Sequence, residues 1–250
     1  MAVSKTRLFW EIHSDLPREG PGDNVSTRMA FSMCEGLPRA PRVLDIACGP
    51  GMQTLELARL TDGDITAIDT HKPFLDELRR RARAAGVEGR ITPAEASMFD
   101  LPFEPGSFDL IWCEGAAYIM GLEAAFTGWR PLLAEGGYLA LTEACWLKPN
   151  PPAEAAAFWT EYPGMGTVAD ASAIIARAGY AEIGHFTLPD ASWWDDYYTP
   201  KEARLAMLEA KYAASPADLT ALAEARRELD VHRRYSDYYG YVFFVARKAG

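Results

Sequence analysis

The chain has 250 residues, enough for one large α/β domain or a domain with a sizeable cap, and its 49% apolar and 24% charged content is ordinary for a globular protein. Its apolar runs fall far short of the ~20 residues needed to cross a bilayer, and residues 1–10 lack the apolar stretch of a signal peptide, so a cytoplasmic protein without a membrane partner is expected. A formal charge of −10 argues against a nucleic-acid partner, because neutralising phosphates takes clustered Lys and Arg.

Residues 1–41 precede the first strand. Leu8-Phe9-Trp10-Glu11-Ile12-His13 mixes large apolar and polar groups, residues 17–23 form a Gly/Pro hinge, and Asn24 or Ser26 is placed to cap a helix reaching about Glu35, where Gly36 and Pro38 end it. An apolar segment outside a sheet has to lie over something, and packing on the sheet edge is one such arrangement. The core then alternates: strand 42–48, helix 51–60, strand 64–69, a helix bracketed by Pro73 and Gly86, strand 90–96, strand 107–114, helix 122–133 and strand 137–144. Alternation with short connections means parallel βαβ units, hence a doubly wound sheet whose ligands bind at the carboxyl ends of the strands. The basic run 79–83 falls late in its helix, where cations complement the dipole and face solvent.

Beyond Trp146 the pattern loosens at Pro149, Pro151 and Pro152. Helices are predicted over 153–160 and 167–178, a sixth strand over 181–188, and a seventh over 238–247 with the aromatic alternation of an edge or hairpin partner. The helical insertion 190–237 is too long for a simple connection and reads as a cap or a homodimer contact within one domain. Cysteines 34, 48, 113 and 145 show no Cys-x-x-Cys spacing, which favours buried free thiols over disulfides or zinc.

The most informative stretch is Val43-Leu44-Asp45-Ile46-Ala47-Cys48-Gly49-Pro50-Gly51 followed by a helical pattern. Glycines at 49 and 51 let backbone approach a ligand, and the helix that follows offers unpaired N–H groups. A dinucleotide fold uses a related turn, but its third glycine is replaced here by Thr54, and Asp45 sits inside the strand. A carboxylate at Asp69, ending the second strand, suits a vicinal diol in either fold.

Asp-x-Ala-x-Gly-x-Gly with Asp69 after it resembles the class I S-adenosylmethionine-dependent methyltransferases, and is similar to their ubiquinone/menaquinone-biosynthesis type, over about residues 43–144. The resemblance implies a seven-stranded, mostly parallel Rossmann-like sheet (core 42–146), an N-terminal helical lid (1–41) carrying Phe9, Trp10, His13 and Arg18, and an acceptor-side cap (147–250). It implies S-adenosyl-L-methionine as cofactor, held by Asp45, Ala47, Gly49, Gly51, Asp69 (ribose) and Thr70. Residues 95–103 look like the adenine-binding loop, with Ser97 where the family usually has an acid and Met98 packing on the ring. Cys113 and Glu114 then fall at the ligand end of the fourth strand, and Asp109 is a strand-start residue.

Methyl transfer from a sulfonium is an in-line displacement, so alignment and water exclusion supply much of the rate, with a base if the acceptor is protonated. Metal is not required, and no ligand cluster has the spacing for one. Strand ends and caps nominate Glu114, Glu143 and His185 as catalytic, and Trp10, His13, Tyr118, Trp146, Trp193 and Tyr197, with Trp194 and Tyr198 beside them, for a small-molecule acceptor methylated on N or O. Two converging acids among aromatics suit an amine or cation. The plainer alternatives are that Glu143 caps a helix, that His185 is a satisfied core residue, and that the aromatics, Tyr235, Tyr238, Tyr239 and Tyr241 included, are packing. The competing functions are an NAD-dependent oxidoreductase and a cofactor-binding protein without turnover.

Overall fold

The computed structural model describes residues 5–160, 162 and 164–250, so the first four residues of the predicted lid lie outside the described residues. One seven-stranded sheet is built from β1 (Val43–Ile46), β2 (Ile65–Asp69), β3 (Ile91–Glu95), β4 (Phe108–Cys113), β5 (Leu133–Trp146), β6 (Tyr180–Thr187) and β7 (Tyr239–Lys248), in the order β3-β2-β1-β4-β5-β7-β6. The first five are parallel, and β7 runs antiparallel to both β5 and β6.

The sequence reads the seventh strand as an edge or hairpin partner; its antiparallel pairing with β6 bears out the second, and its place between two strands corrects the first. β7 lies between β5 and β6 with its first eight residues buried, while β6 is the edge, where only Tyr180 is buried and the rest alternate between exposed and half-buried. The aromatic content of β7 therefore serves two covered faces. One apolar cluster on these faces includes Leu57, Trp112 and Phe243, and the other Ile111, Phe126 and Trp129. All four cysteines are free and buried.

Helix α1 (Lys5–Ile12) precedes α2 (Asn24–Ser32), and α3 (Met52–Leu60) and α4 (Lys72–Ala85) follow β1 and β2. The cap of α2 is Asp23, not Asn24 or Ser26: its carboxylate accepts from the Ser26 amide at 2.7 Å. Pro73 opens α4, and Gly86 closes it at φ +68°. The basic run does more than face solvent. Arg79, Arg80 and Arg81 pair with Asp76 or Glu77 one turn back, and Arg81 also donates to the carbonyls of Leu16 and Pro17, fastening the N-terminal segment to α4.

The chain continues through α5 (Leu122–Trp129), α6 (Ala153–Trp159) and α7 (Val168–Arg177). The insertion folds as α8 (Ala191–Trp193), a π-helical turn (Trp194–Tyr198), α9 (Thr199–Lys211) and α10 (Pro216–Tyr235). It meets α1 directly: Arg204 donates to the Glu11 carbonyl at 2.7 Å, and Lys211 and Tyr212 donate to its carboxylate. Among the described residues no helix is long and apolar enough to cross a membrane.

Candidate active site

β1 breaks at Ala47 (φ +55°), Gly49 (φ +55°) and Gly51 (φ +86°), a left-handed series that turns the chain sharply from strand to helix. A cavity of about 490 Å³ opens there, at the carboxyl ends of β1, β2 and β4, with an annex of about 170 Å³ along the glycine turn. The two glycines differ in what they permit. A Cβ on Gly49 would meet only the Glu19 side chain at 3.5 Å, whereas one on Gly51 would stand 2.2 Å from Leu78 of α4. Gly49 borders the annex, whereas Gly51 borders neither space and lets α3 pack closely on Leu78.

Ala47, Asp69, Thr70, Ser97 and Met98 all line the cavity. Asp69 Oδ2 accepts from the Gly49 amide at 2.9 Å and Oδ1 from the His71 amide at 2.8 Å, so turn and carboxylate hold each other in place. Burial raises its pKa, and these backbone bonds oppose the rise. Asp45 and Cys113 are fully buried and border neither space. The Asp45 carboxylate is taken by Thr54 Oγ1 at 2.5 Å, with Gln53 Nε2 at 3.5 Å, and burial pushes it up to about 7. It braces the turn from behind.

Glu114 borders the annex, but its carboxylate is saturated: Arg18 donates to Oε2, and Thr27 and Trp112 donate to Oε1 at 2.9 and 2.8 Å. Glu114 thereby anchors the N-terminal segment to the end of β4. Arg18, 4% exposed, keeps Nη1 unpartnered at the annex among the described residues. His185 is corrected outright. It stands on the edge strand β6, 42% exposed, paired with Glu182 at 2.5 Å and away from the cavity. Trp146 packs edge-on against Tyr239 outside the cavity, so it too leaves the set. Glu143 does not border the cavity but stands behind it, with Tyr162 as the side chain that interacts with its carboxylate.

Trp10, His13, Tyr118, Trp193 and Tyr197 line the cavity. The Trp10 indole stacks on His71 at 3.6 Å, seating α1 on the turn after β2. His13 Nδ1 meets Glu19 Oε2 at 2.7 Å, and its Nε2 has no partner among the described residues. Burial and the charge of Lys201 bring His13 down to about 4, while burial lifts Glu19 up to about 9, so at neutral pH the imidazole is uncharged.

Several lining residues escape sequence reading. Glu19 is a lone acid in the hinge, Tyr241 reads as packing, and Phe158, Trp159 and Tyr162 come from α6 and the chain after it. Lys201 and Glu228 face each other from α9 and α10: Lys201 Nζ donates to Glu228 Oε2 at 2.6 Å and to Tyr197 Oη at 3.0 Å. Burial works against both charges, yet the pairing holds Lys201 above and Glu228 below their ordinary values. The four-residue spacing of Tyr197 and Lys201 is a signal that could have linked those two; nothing local points to Glu228.

Residues 43–137 match a family model described as a methyltransferase domain. A 27-O-demethylrifamycin SV methyltransferase of Amycolatopsis mediterranei is 29% identical over 180 residues, covering 70% of this chain and 64% of that one. A Synechococcus protein of unassigned function is 38% identical over 149 residues, covering 55% of this chain and 35% of its own. The chain thus spans from about a third to just under two thirds of these relatives' lengths. A Thiobacillus denitrificans S-adenosylmethionine-dependent methyltransferase, solved with S-adenosyl-L-homocysteine, shares the fold at TM-score 0.82 and 21% identity, with 98% and 99% of the two chains covered. Residues 43–137 thus carry a methyltransferase domain, and in its glycine turn, Asp69 and sheet the chain is similar to the class I S-adenosylmethionine-dependent methyltransferases.

Proposed function

We propose that the protein transfers the methyl group of S-adenosylmethionine to nitrogen or oxygen of a small molecule enclosed in the cavity. The observation that carries this reading is the pairing of an open glycine turn with the Asp69 carboxylate at one end of a cavity whose other end is walled by the cap. The residues present fit the cofactor. Asp69 has oxygen lone pairs left for a ribose diol, Gly49 leaves room beside its backbone, and Arg18 Nη1 is a buried donor without a partner in the annex, suited to the cofactor's carboxylate. Thr70, Ser97 and Met98 complete the nucleoside end. In this reading residues 42–146 hold the cofactor, and 1–41 with 147–250 enclose the acceptor.

The bound cofactor supplies a methyl group on a sulfonium, open to in-line attack. The chain's part is to orient and to dry the site: Trp10, Trp193, Tyr118 and Tyr197 exclude water around the acceptor. His13, uncharged at neutral pH, adds a polar ring to the cavity wall, and Glu19 on Nδ1 keeps it oriented. Calorimetric titration with S-adenosylmethionine, S-adenosylhomocysteine and NAD tests the reading. Micromolar binding of the first two without NAD is expected; binding of NAD alone would overturn it.

A further inference from the structure

Glu143 is 5% exposed, sits near the carboxyl end of β5, and has Oε2 buried without a partner. The titratable groups that face it are Cys113 on β4, Cys145 on its own strand, Tyr118 in the turn after β4, Tyr162 after α6 and Tyr241 on β7. No Lys, Arg or His is among them. Tyr118, Tyr162 and Tyr241 line the cavity, and the first two stack at 4.2 Å, so the acid stands directly behind a tyrosine wall. The charges that line the cavity lean the same way, with Asp69 and Glu228 against the single cation Lys201 among the described residues, Glu19 being held protonated at neutral pH.

A buried carboxylate without a counter-charge is costly, and electron-rich ring faces attract cations. Resting on the methyltransferase reading, we infer that the recess bounded by Tyr118, Tyr162 and Tyr241 takes a protonated amine, with Glu143 as its counter-ion. The acceptor is then an amine-bearing small molecule and not a neutral alcohol or phenol. Tyr162, whose hydroxyl interacts with Glu143 and Tyr241, is the group positioned to accept an ammonium N–H in front of the carboxylate.

Burial pushes Glu143 up to about 8, so at pH 7 it carries a proton when the recess is empty. An ammonium ion favours the carboxylate, and that proton is released on binding. The test uses the protein saturated with S-adenosylhomocysteine, titrated calorimetrically at pH 7 with 2-phenylethylamine and with its near-isostere 2-phenylethanol, in two buffers of different ionisation enthalpy. The amine is expected to bind roughly tenfold tighter, releasing about one proton per molecule bound. Glu143→Gln should abolish both the preference and the proton release while keeping S-adenosylhomocysteine affinity, which also reports that the variant is folded. Equal binding of amine and alcohol, no binding of either at millimolar concentration, or a preference unchanged in Glu143→Gln would overturn the inference. If the variant does not fold, the wild-type proton count decides. Failure to bind S-adenosylhomocysteine would sink the methyltransferase reading; intact cofactor binding without amine preference sinks only this one.

Discussion

Alanine at each glycine of the turn separates what the two residues do. Both have left-handed backbone, so a Cβ at either costs about 1–2 kcal/mol of conformational strain. At Gly51 the new methyl would also stand 2.2 Å from Leu78 Cδ1, and Leu78 is fully buried in the core, so it cannot swing into solvent. Overpacking of this kind adds about 1–3 kcal/mol. For a chain of this size each kcal/mol lowers Tm by roughly 2–4 °C, so Gly51→Ala should melt about 2–12 °C below Gly49→Ala. Gly49→Ala meets only Glu19 in ordinary contact, and its methyl borders the annex. It should therefore weaken S-adenosylhomocysteine binding by at least about tenfold, equivalent to 1.4 kcal/mol, whereas Gly51→Ala, folded in the cold, should bind within a few-fold of wild type. Circular-dichroism melts with calorimetric titration supply both readouts. Equal melting of the two variants, or unimpaired binding by Gly49→Ala, would refute the division.

Asp69→Asn should leave the melting temperature within a few degrees while raising the Kd for S-adenosylhomocysteine at least about tenfold, read by the same titration. Glu114→Gln strands Arg18 in a buried site and should cost on the order of 3 kcal/mol in urea unfolding; a loss of turnover at full stability would contradict the anchoring role. Lys201→Met leaves Glu228 unpaired at comparable cost, and Lys201→Met with Glu228→Leu should recover most of it. For Glu143 the folded pKa of about 8 exceeds the ordinary 4.5, so its burial is tolerated best below pH 4.5 and destabilises increasingly up to pH 8. The stability advantage of Glu143→Gln over wild type should accordingly grow across that window and level off above it, as urea unfolding at a series of pH values would report.

The alternation of strands and helices and the glycine turn were legible because each is a local pattern: periodicity, a proline at a helix start, a glycine in left-handed backbone. The position of β7 was not, since its aromatic alternation fits an edge as readily as a slot between two strands, and only tertiary pairing decides. Site residues divide in the same way. Ala47, Gly49, Asp69, Thr70, Ser97 and Met98 follow from strand ends, and all six border the cavity or its annex. Glu114 was placed correctly at a strand end, but its chemistry was set by Arg18, 96 positions away. His185 was assigned to a strand end without knowing that its strand would be the outermost. Lys201 and Glu228 meet only because two cap helices pack together, a fact with no local trace.

The insertion of β7 between β5 and β6 has a consequence for synthesis on the ribosome. The hydrogen-bonding edge of β5, paired with β7 from Tyr138 to Trp146, has no partner until the stretch after residue 238 has emerged, more than ninety positions later. During that interval the nascent chain offers a long apolar strand edge of the kind that templates aggregation. A stalled or prematurely terminated product lacking β7 would lose its central pairing, not a dispensable border, and should be a substrate for chaperones or proteases instead of a partly active enzyme.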